Sequence, residues 1–86
     1  MNSKYNLIFS TQASKFLKKL KDKKLLNSII EELELIRANP YVGKFLQGDL
    51  KGYHSYRIRT YRIIYKIINS NLLVYIEHIS HRKESY

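Results

Sequence analysis

The sequence predicts an α+β fold in which two helices pack on one face of a small sheet. Three observations lead to this prediction. A short apolar segment opens the chain, two stretches with helical periodicity follow it, and the second half is rich in Tyr, Ile and Val with two turn signals. The expected order is an N-terminal strand, an antiparallel helix hairpin and a three-stranded antiparallel meander, in a single domain over residues 1–86.

The first strand is expected from Lys4 to Phe9, and Ser10 or Thr11 offers a hydroxyl N-cap for the helix that follows. That helix is predicted from four apolar residues with the i, i+3, i+4, i+7 spacing of an amphipathic helix: Ala13, Phe16, Leu17 and Leu20. Lysines are distributed around the rest of its surface, among them Lys15, Lys18 and Lys19.

The second helix is expected to begin after Asp22, a plausible N-cap, and to end at Asn39-Pro40 because proline interrupts helical hydrogen bonding. Its apolar residues recur at helical spacing: Leu26, Ile29, Ile30, Leu33 and Ile36. The short connection between the two stretches predicts that the helices run antiparallel.

Residues 41–52 contain all three glycines and are expected to form a loop, with a brief extended piece at Phe45 and Leu46. The meander is predicted from His54 to Ser80. Its turns are expected at Arg59-Thr60 and at Asn69-Ser70-Asn71.

Sixteen Lys and Arg against seven Asp and Glu give a formal charge of +9. Charge of this size destabilises the folded chain by self-repulsion, which favours a polyanionic ligand or an acidic partner, with simple solubility as the alternative. The absence of cysteine excludes disulfides and thiolate metal sites and fits a reducing cytoplasm. The apolar stretches are too short for a signal peptide or a membrane span, so we expect neither. We also expect no cofactor and no metal, and His54, His78 and His81 lack the spacing of a zinc motif.

Residues 56–63 contain the first group of candidate site residues. If Arg59 and Thr60 form a two-residue turn, Arg57 lies directly opposite Arg62 on one face. Two guanidinium groups in that position are destabilising unless an anion lies with them, and their planar forks suit phosphate oxygens. The alternative is that both side chains splay apart into water.

The C-terminal residues 81–86 contain the second group of candidate site residues. Cleaving RNA without a metal requires deprotonating the 2′-hydroxyl, stabilising charge on the phosphorane and protonating the 5′-oxygen. Arg82 suits the second task, and His81 is the candidate proton carrier because histidine is the residue type that ordinarily exchanges protons near neutral pH. Tyr86 needs a lowered pKa to act as a base. Alternatively, His81 is a surface group, and Tyr86 packs on the sheet or stacks on a base.

With these residues the whole chain resembles the RelE/ParE superfamily of toxins. The most specific motifs are Ser55-Tyr56-Arg57-Ile58 with Tyr61-Arg62-Ile63-Ile64-Tyr65, and the ending His81-Arg82-Lys83-Glu84-Ser85-Tyr86. Weaker similarity lies in residues 46–52 and 16–20. Many relatives carry glycine where this chain has Arg59. A positive φ at that position costs a non-glycine residue about 1 kcal/mol, so either the turn differs locally here or Arg59 offsets the strain as an RNA contact.

The resemblance implies a ribosome-dependent messenger-RNA interferase, a toxin silenced by an antitoxin. By position, Arg62 and Arg82 match phosphate-contacting and transition-state-stabilising arginines, and Tyr86 matches the catalytic tyrosine. Arg57 falls where a cation is often found. His81 is a general acid or a phosphate contact. Further candidate RNA contacts are Lys51, Arg59 and Lys83 and, on the first helix, Lys15, Lys18 and Lys19.

Two other functions remain open. One is a ParE-like inhibitor of DNA gyrase with the same fold, and the other is a nonenzymatic basic RNA-binding module. The expected partners of the leading reading are messenger RNA, ribosomal RNA and a cognate acidic antitoxin with a helix or strand laid along the toxin surface.

Overall fold

The fold was analysed in a computed structural model that describes residues 5–81. Two helices and five strands follow one another along the chain. Their bounds are β1 Asn6–Phe9, α1 Thr11–Lys19, α2 Lys23–Ala38, β2 Lys44–Phe45, β3 Tyr53–Ile58, β4 Tyr61–Ile68 and β5 Leu73–His81. The α+β prediction and the order of its elements are confirmed, and β2 joins the sheet as a fifth strand.

The sheet has the order β1-β5-β4-β3-β2, so the first and last strands of the chain are neighbours. β1 runs parallel to β5, whereas the other neighbours are antiparallel. The sheet is therefore mixed. The predicted meander is β3-β4-β5, and it starts one residue before and ends one residue after the predicted range.

Both helices begin at the predicted caps. The Ser10 hydroxyl accepts a hydrogen bond from the Ala13 amide at 3.1 Å, and Asp22 Oδ1 accepts one from the Leu25 amide at 3.1 Å. Each bond satisfies an amide that has no partner within its own helix. Within residues 5–81, no helix combines the length and the apolar character needed to cross a membrane.

The core lies between the helices and one face of the sheet, which we call the helix face. Helix α2 contributes four residues to it, spaced by four, four and three: Leu25, Ile29, Leu33 and Ile36. The prediction of Ile30 in this stripe was wrong, because its side chain is 46% exposed. Ile30 follows Ile29 by about 100° around the helix axis, which turns it away from the sheet.

Strand β5 is longer than its partner β1, and the start of α1 covers the remainder. The Ser10 hydroxyl donates to the Glu77 carbonyl at 2.6 Å. The Gln12 side-chain amide donates to the Ile79 carbonyl at 2.9 Å, and its oxygen accepts from the Ile79 amide at 3.0 Å. Gln12 thus supplies the donor and acceptor that another strand would supply.

Candidate functional site

The face of the sheet opposite the helices, which we call the open face, carries the predicted arginine pair. In the β3-β4 hairpin Arg57 is the direct partner of Arg62, and Ile58 is the direct partner of Tyr61. The predicted register is confirmed. Because side chains alternate along a strand, both arginines stand on one face while Ile58 and Ile63 enter the core.

The turn between these strands places Arg59 in a left-handed conformation, so of the two alternatives the strained turn is the one observed. Arg59 adopts a φ of 54°, in the left-handed region that non-glycine residues rarely occupy. Its side chain is exposed, two residues from Arg57. The turn therefore adds a third cation to the end of the hairpin.

A pocket of about 230 Å³ opens beside the two arginines. Its lining residues are Lys44, Leu46, Ser55, Arg57 and Arg62, so three cations and a hydroxyl surround it and none of these five residues is acidic. Lys44 enters this set through the short strand β2, where it pairs with Ser55. The sequence analysis missed Lys44 and Ser55, because the pairing of a two-residue strand leaves no periodic signal.

The segment before Lys44 is held from beneath by Tyr65. The Tyr65 hydroxyl donates to the Pro40 carbonyl at 2.7 Å and accepts from the Gly43 amide at 3.0 Å. Burial raises the pKa of Tyr65 to about 12, so the phenol stays protonated at neutral pH. A Cβ on residue 43 would collide with this hydroxyl, which explains the glycine.

An aromatic cluster surrounds the same segment on the helix face. The His54 ring stacks on Tyr65 with centroids 5.4 Å apart, and Phe45 and Tyr41 meet it edge-on at 5.2 and 6.2 Å. His54 Nδ1 is buried and has no hydrogen-bond partner among the described residues. Burial lowers the pKa of His54, which favours its neutral form. This histidine serves packing.

A β-bulge in β5 decides which later residues reach the open face. The register shifts between Ile64, which pairs with His78, and Tyr65, which pairs with Ile76, so Glu77 is the extra residue. Tyr75 and His78 then share the open face although they are three residues apart. Ser80, opposite Arg62, is on that face as well. The sequence analysis missed His78 and Ser80 as neighbours of the arginines.

His81 lies on the helix face. It is paired with Tyr61, and the two rings meet edge-on with centroids 5.1 Å apart. Tyr61 in turn contacts Phe16 of α1 at 5.8 Å. The structure therefore brings Arg57 and Arg62 together and places the His81 ring on the other side of the sheet.

The remaining candidates are dispersed. Lys51 is exposed and follows a short 3₁₀ turn at Gly48–Leu50. Lys15, Lys18 and Lys19 are exposed on α1, which packs on the helix face, away from the pocket. Arg82, Lys83 and Tyr86 lie outside the described residues. Within residues 5–81, His, Asp and Glu side chains form no group of three suited to holding a metal ion.

Comparison with known proteins finds toxins of type II toxin-antitoxin systems. Residues 7–86 match the family model of the ParE toxin of the type II toxin-antitoxin system parDE. Two curated relatives come from Mycobacterium tuberculosis strain ATCC 25618 / H37Rv. Toxin RelE is 32% identical over 83 residues, covering 95% of this chain and 86% of the relative. Toxin RelG is 34% identical over 84 residues, covering 95% of each.

Solved structures agree. The RelBE2 toxin-antitoxin complex from M. tuberculosis matches with a TM-score of 0.80 and 34% identity, covering 91% of this chain and 98% of the matched chain. The isolated RelE toxin from E. coli matches with a TM-score of 0.78 over 94% of this chain and 87% of that one, at 19% identity, which bears on the fold alone. From the family model and the relatives above 30% identity, this chain belongs to the RelE/ParE family of type II toxin-antitoxin toxins.

Proposed function

We propose that this toxin is an endoribonuclease that cleaves messenger RNA on the ribosome in the cytoplasm and so inhibits translation. One observation carries the proposal: Arg57 and Arg62 are direct partners beside a pocket that Lys44 also lines, and none of the described residues that line it is acidic. Several cations around one pocket create a positive potential that attracts an anion. A phosphate group in the pocket would accept hydrogen bonds from the guanidinium groups.

The proposed reaction uses the nucleophile that RNA itself carries. The 2′-oxygen attacks the adjacent phosphorus, the bond from phosphorus to the 5′-oxygen breaks, and the products are a 2′,3′-cyclic phosphate and a 5′-hydroxyl. One proton leaves the 2′-hydroxyl and one reaches the departing oxygen. Arg57, Arg62 and Arg82 stabilise the extra negative charge on the phosphorane.

The proton carriers are proposed among Tyr86, His81 and His78. Tyr86 and His81 come from the family motif. His78 comes from the structure, since of the three histidines it is the one on the open face with the arginines. Its direct partner is Ile64, the residue two positions from Arg62, so His78 is a diagonal neighbour of Arg62 on the same face, although it is not one of the five residues that line the pocket.

Further cations extend the contact with RNA. Arg59, Lys51 and Lys83 are proposed to bind the messenger near the pocket. Lys15, Lys18 and Lys19 project from the helix side of the molecule. They are proposed to contact ribosomal RNA while the open face holds the messenger.

A cognate acidic antitoxin is the proposed protein partner. Structural relatives of this chain include the RelBE2 complex of M. tuberculosis and the intact RelBE complex of E. coli, both of which pair a toxin with an antitoxin. The charge of +9 favours a partner of opposite sign. Co-expression with the neighbouring acidic reading frame is expected to relieve growth arrest and to yield a complex that co-purifies.

The deciding experiment is primer extension on a reporter messenger in a reconstituted translation system. Wild-type protein is expected to give discrete breaks within translated codons. Arg62→Ala and Arg82→Ala are expected to abolish them, whereas Lys24→Ala, an exposed cation on α2, leaves them unchanged. Intact RNA with wild-type protein would overturn the proposal. DNA breaks in cells that express the toxin would then favour a ParE-like action on gyrase.

A further inference from the structure

A second group of aromatic and cationic side chains lies on the open face, away from the pocket. Lys66 on β4 has Tyr53 of β3 as its partner on one side and Tyr75 of β5 on the other. Three adjacent strands thus present an aromatic ring, an ammonium group and another aromatic ring in one row. The function proposed above uses none of these three side chains.

The row has a defined geometry. Lys66 Nζ lies over the Tyr53 ring, 5.6 Å from its centroid, so the ring positions the ammonium group by a cation–π contact. Lys66 is exposed, and both tyrosines are half-buried. The ammonium is therefore held at the surface by a ring that is itself anchored in the sheet.

The row and the pocket lie on one line. Arg62 and Lys66 are four residues apart on β4 and share a face, which separates them by about 13 Å at about 3.3 Å per residue. Strands β3 and β4 contain no Asp or Glu. Roughly two nucleotides of an extended strand span that distance, and its phosphates would meet cations at both ends.

We propose that Lys66 and Tyr75 form a second subsite for single-stranded RNA, in which Lys66 binds a phosphate and Tyr75 stacks on a base about two nucleotides from the scissile phosphate. The inference rests on the proposed function for its choice of RNA. Charge favours RNA over other occupants, because Lys66 continues the line of cations from the pocket. Aromatic rings flanking cations are the arrangement by which proteins hold single strands without reading their sequence.

The test is fluorescence anisotropy with 2′-O-methyl RNA, which binds but lacks the nucleophilic hydroxyl. Two labelled oligonucleotides are compared: a dinucleotide, which fills the pocket, and a hexanucleotide, which also reaches the row. Tyr75→Leu keeps an apolar side chain and removes the ring. It is expected to weaken hexanucleotide binding by about 5-fold to 100-fold and to leave dinucleotide binding unchanged.

Other variants separate the ring from the charge. Tyr75→Phe is expected to bind the hexanucleotide as the wild type does. Lys66→Ala is expected to lower the slope of log affinity against log salt concentration by about 0.7, the value for one phosphate contact on a single strand. Tyr41→Leu and Lys24→Ala serve as matched controls outside the row, and thermal melting of each variant confirms that it is folded.

The outcomes distinguish this inference from the proposed function. Equal losses for both oligonucleotides, or no loss, would overturn the subsite even if wild-type protein cleaves messenger RNA. A loss confined to the hexanucleotide supports it even if no cleavage is found. If Tyr75→Leu weakens binding of the antitoxin but leaves both oligonucleotides unaffected, the row is a protein contact and the proposal is wrong.

Discussion

Arg57 and Arg62 occupy directly opposed positions on β3 and β4, so both side chains leave the open face of the sheet, where they line one pocket. Pairs of like charge in this position reduce stability by about 0.2–1 kcal/mol. In the proposed function this pair binds a phosphate, so the two arginines serve the site at a cost to the stability of the fold.

Replacing Arg57 with Ala is therefore expected to leave the free energy of unfolding unchanged or to raise it by up to about 1 kcal/mol, most clearly at low salt. Urea unfolding at low and high salt measures this. Adding inorganic phosphate is expected to stabilise the wild type more than the variant, because the variant binds the anion less well. A variant destabilised at low salt would show that Arg57 contributes to folding rather than to the site.

Cleavage by His78→Ala and His81→Ala tests which imidazole moves a proton. If His78 does so, its replacement is expected to lower the cleavage rate by about 100-fold or more. His81→Ala is expected to lower stability instead, because its ring contacts Tyr61. Single-turnover cleavage on programmed ribosomes, with circular dichroism of each variant, distinguishes the two. The opposite pattern would assign the proton to His81.

Tyr65→Phe is expected to destabilise the protein by about 1–3 kcal/mol, because it removes the partner of both the Gly43 amide and the Pro40 carbonyl. The loss should also loosen the segment that carries Lys44. Thermal unfolding gives the stability change, and amide hydrogen exchange at Gly43 reports the local one. Tyr56→Phe, which removes a hydroxyl bonded to Glu32 of α2, is the matched control for exchange at Gly43.

The stability of the protein is expected to fall as pH decreases below about 6.5 because of His54. Its folded-state pKa is lowered by burial, so the unfolded chain takes up the proton first. The stabilisation from the neutral ring is complete above the unfolded pKa and is lost between that value and the lower folded one. Tyr65, Tyr41 and Phe45 are the rings that face it.

Urea midpoints measured across this pH range test the assignment. The variant His54→Phe keeps an aromatic ring that does not titrate and is expected to show a shallower pH dependence. An unchanged slope in that variant would exclude His54 as the source of the pH dependence.

The sequence was sufficient where a signal is local. The hydroxyl at residue 10 and the carboxylate at residue 22 predicted both helix starts, and two turn residues set the register that pairs Arg57 with Arg62. Ile30 shows the limit of periodicity, because an apolar residue at the margin of a stripe carries no sign of whether it is covered.

The pairing of strands that are distant in the sequence could not be predicted from local sequence patterns. The parallel contact of β1 with β5 joins residues more than sixty positions apart, and the pairing of Lys44 with Ser55 rests on two residues. The bulge did leave a trace, since the buried positions Val74, Ile76 and Ile79 are spaced by two and then by three. That change of spacing moves His78 to the open face.

The side chain of Gln12 also limits what the sheet can join. Beyond β1, the backbone of β5 would otherwise be an open edge, and open edges recruit strands from other molecules. Because the amide of Gln12 occupies the donor and acceptor of Ile79, the sheet cannot be extended at that point by a second copy. A glutamine in the first turn of a helix thus acts against self-association.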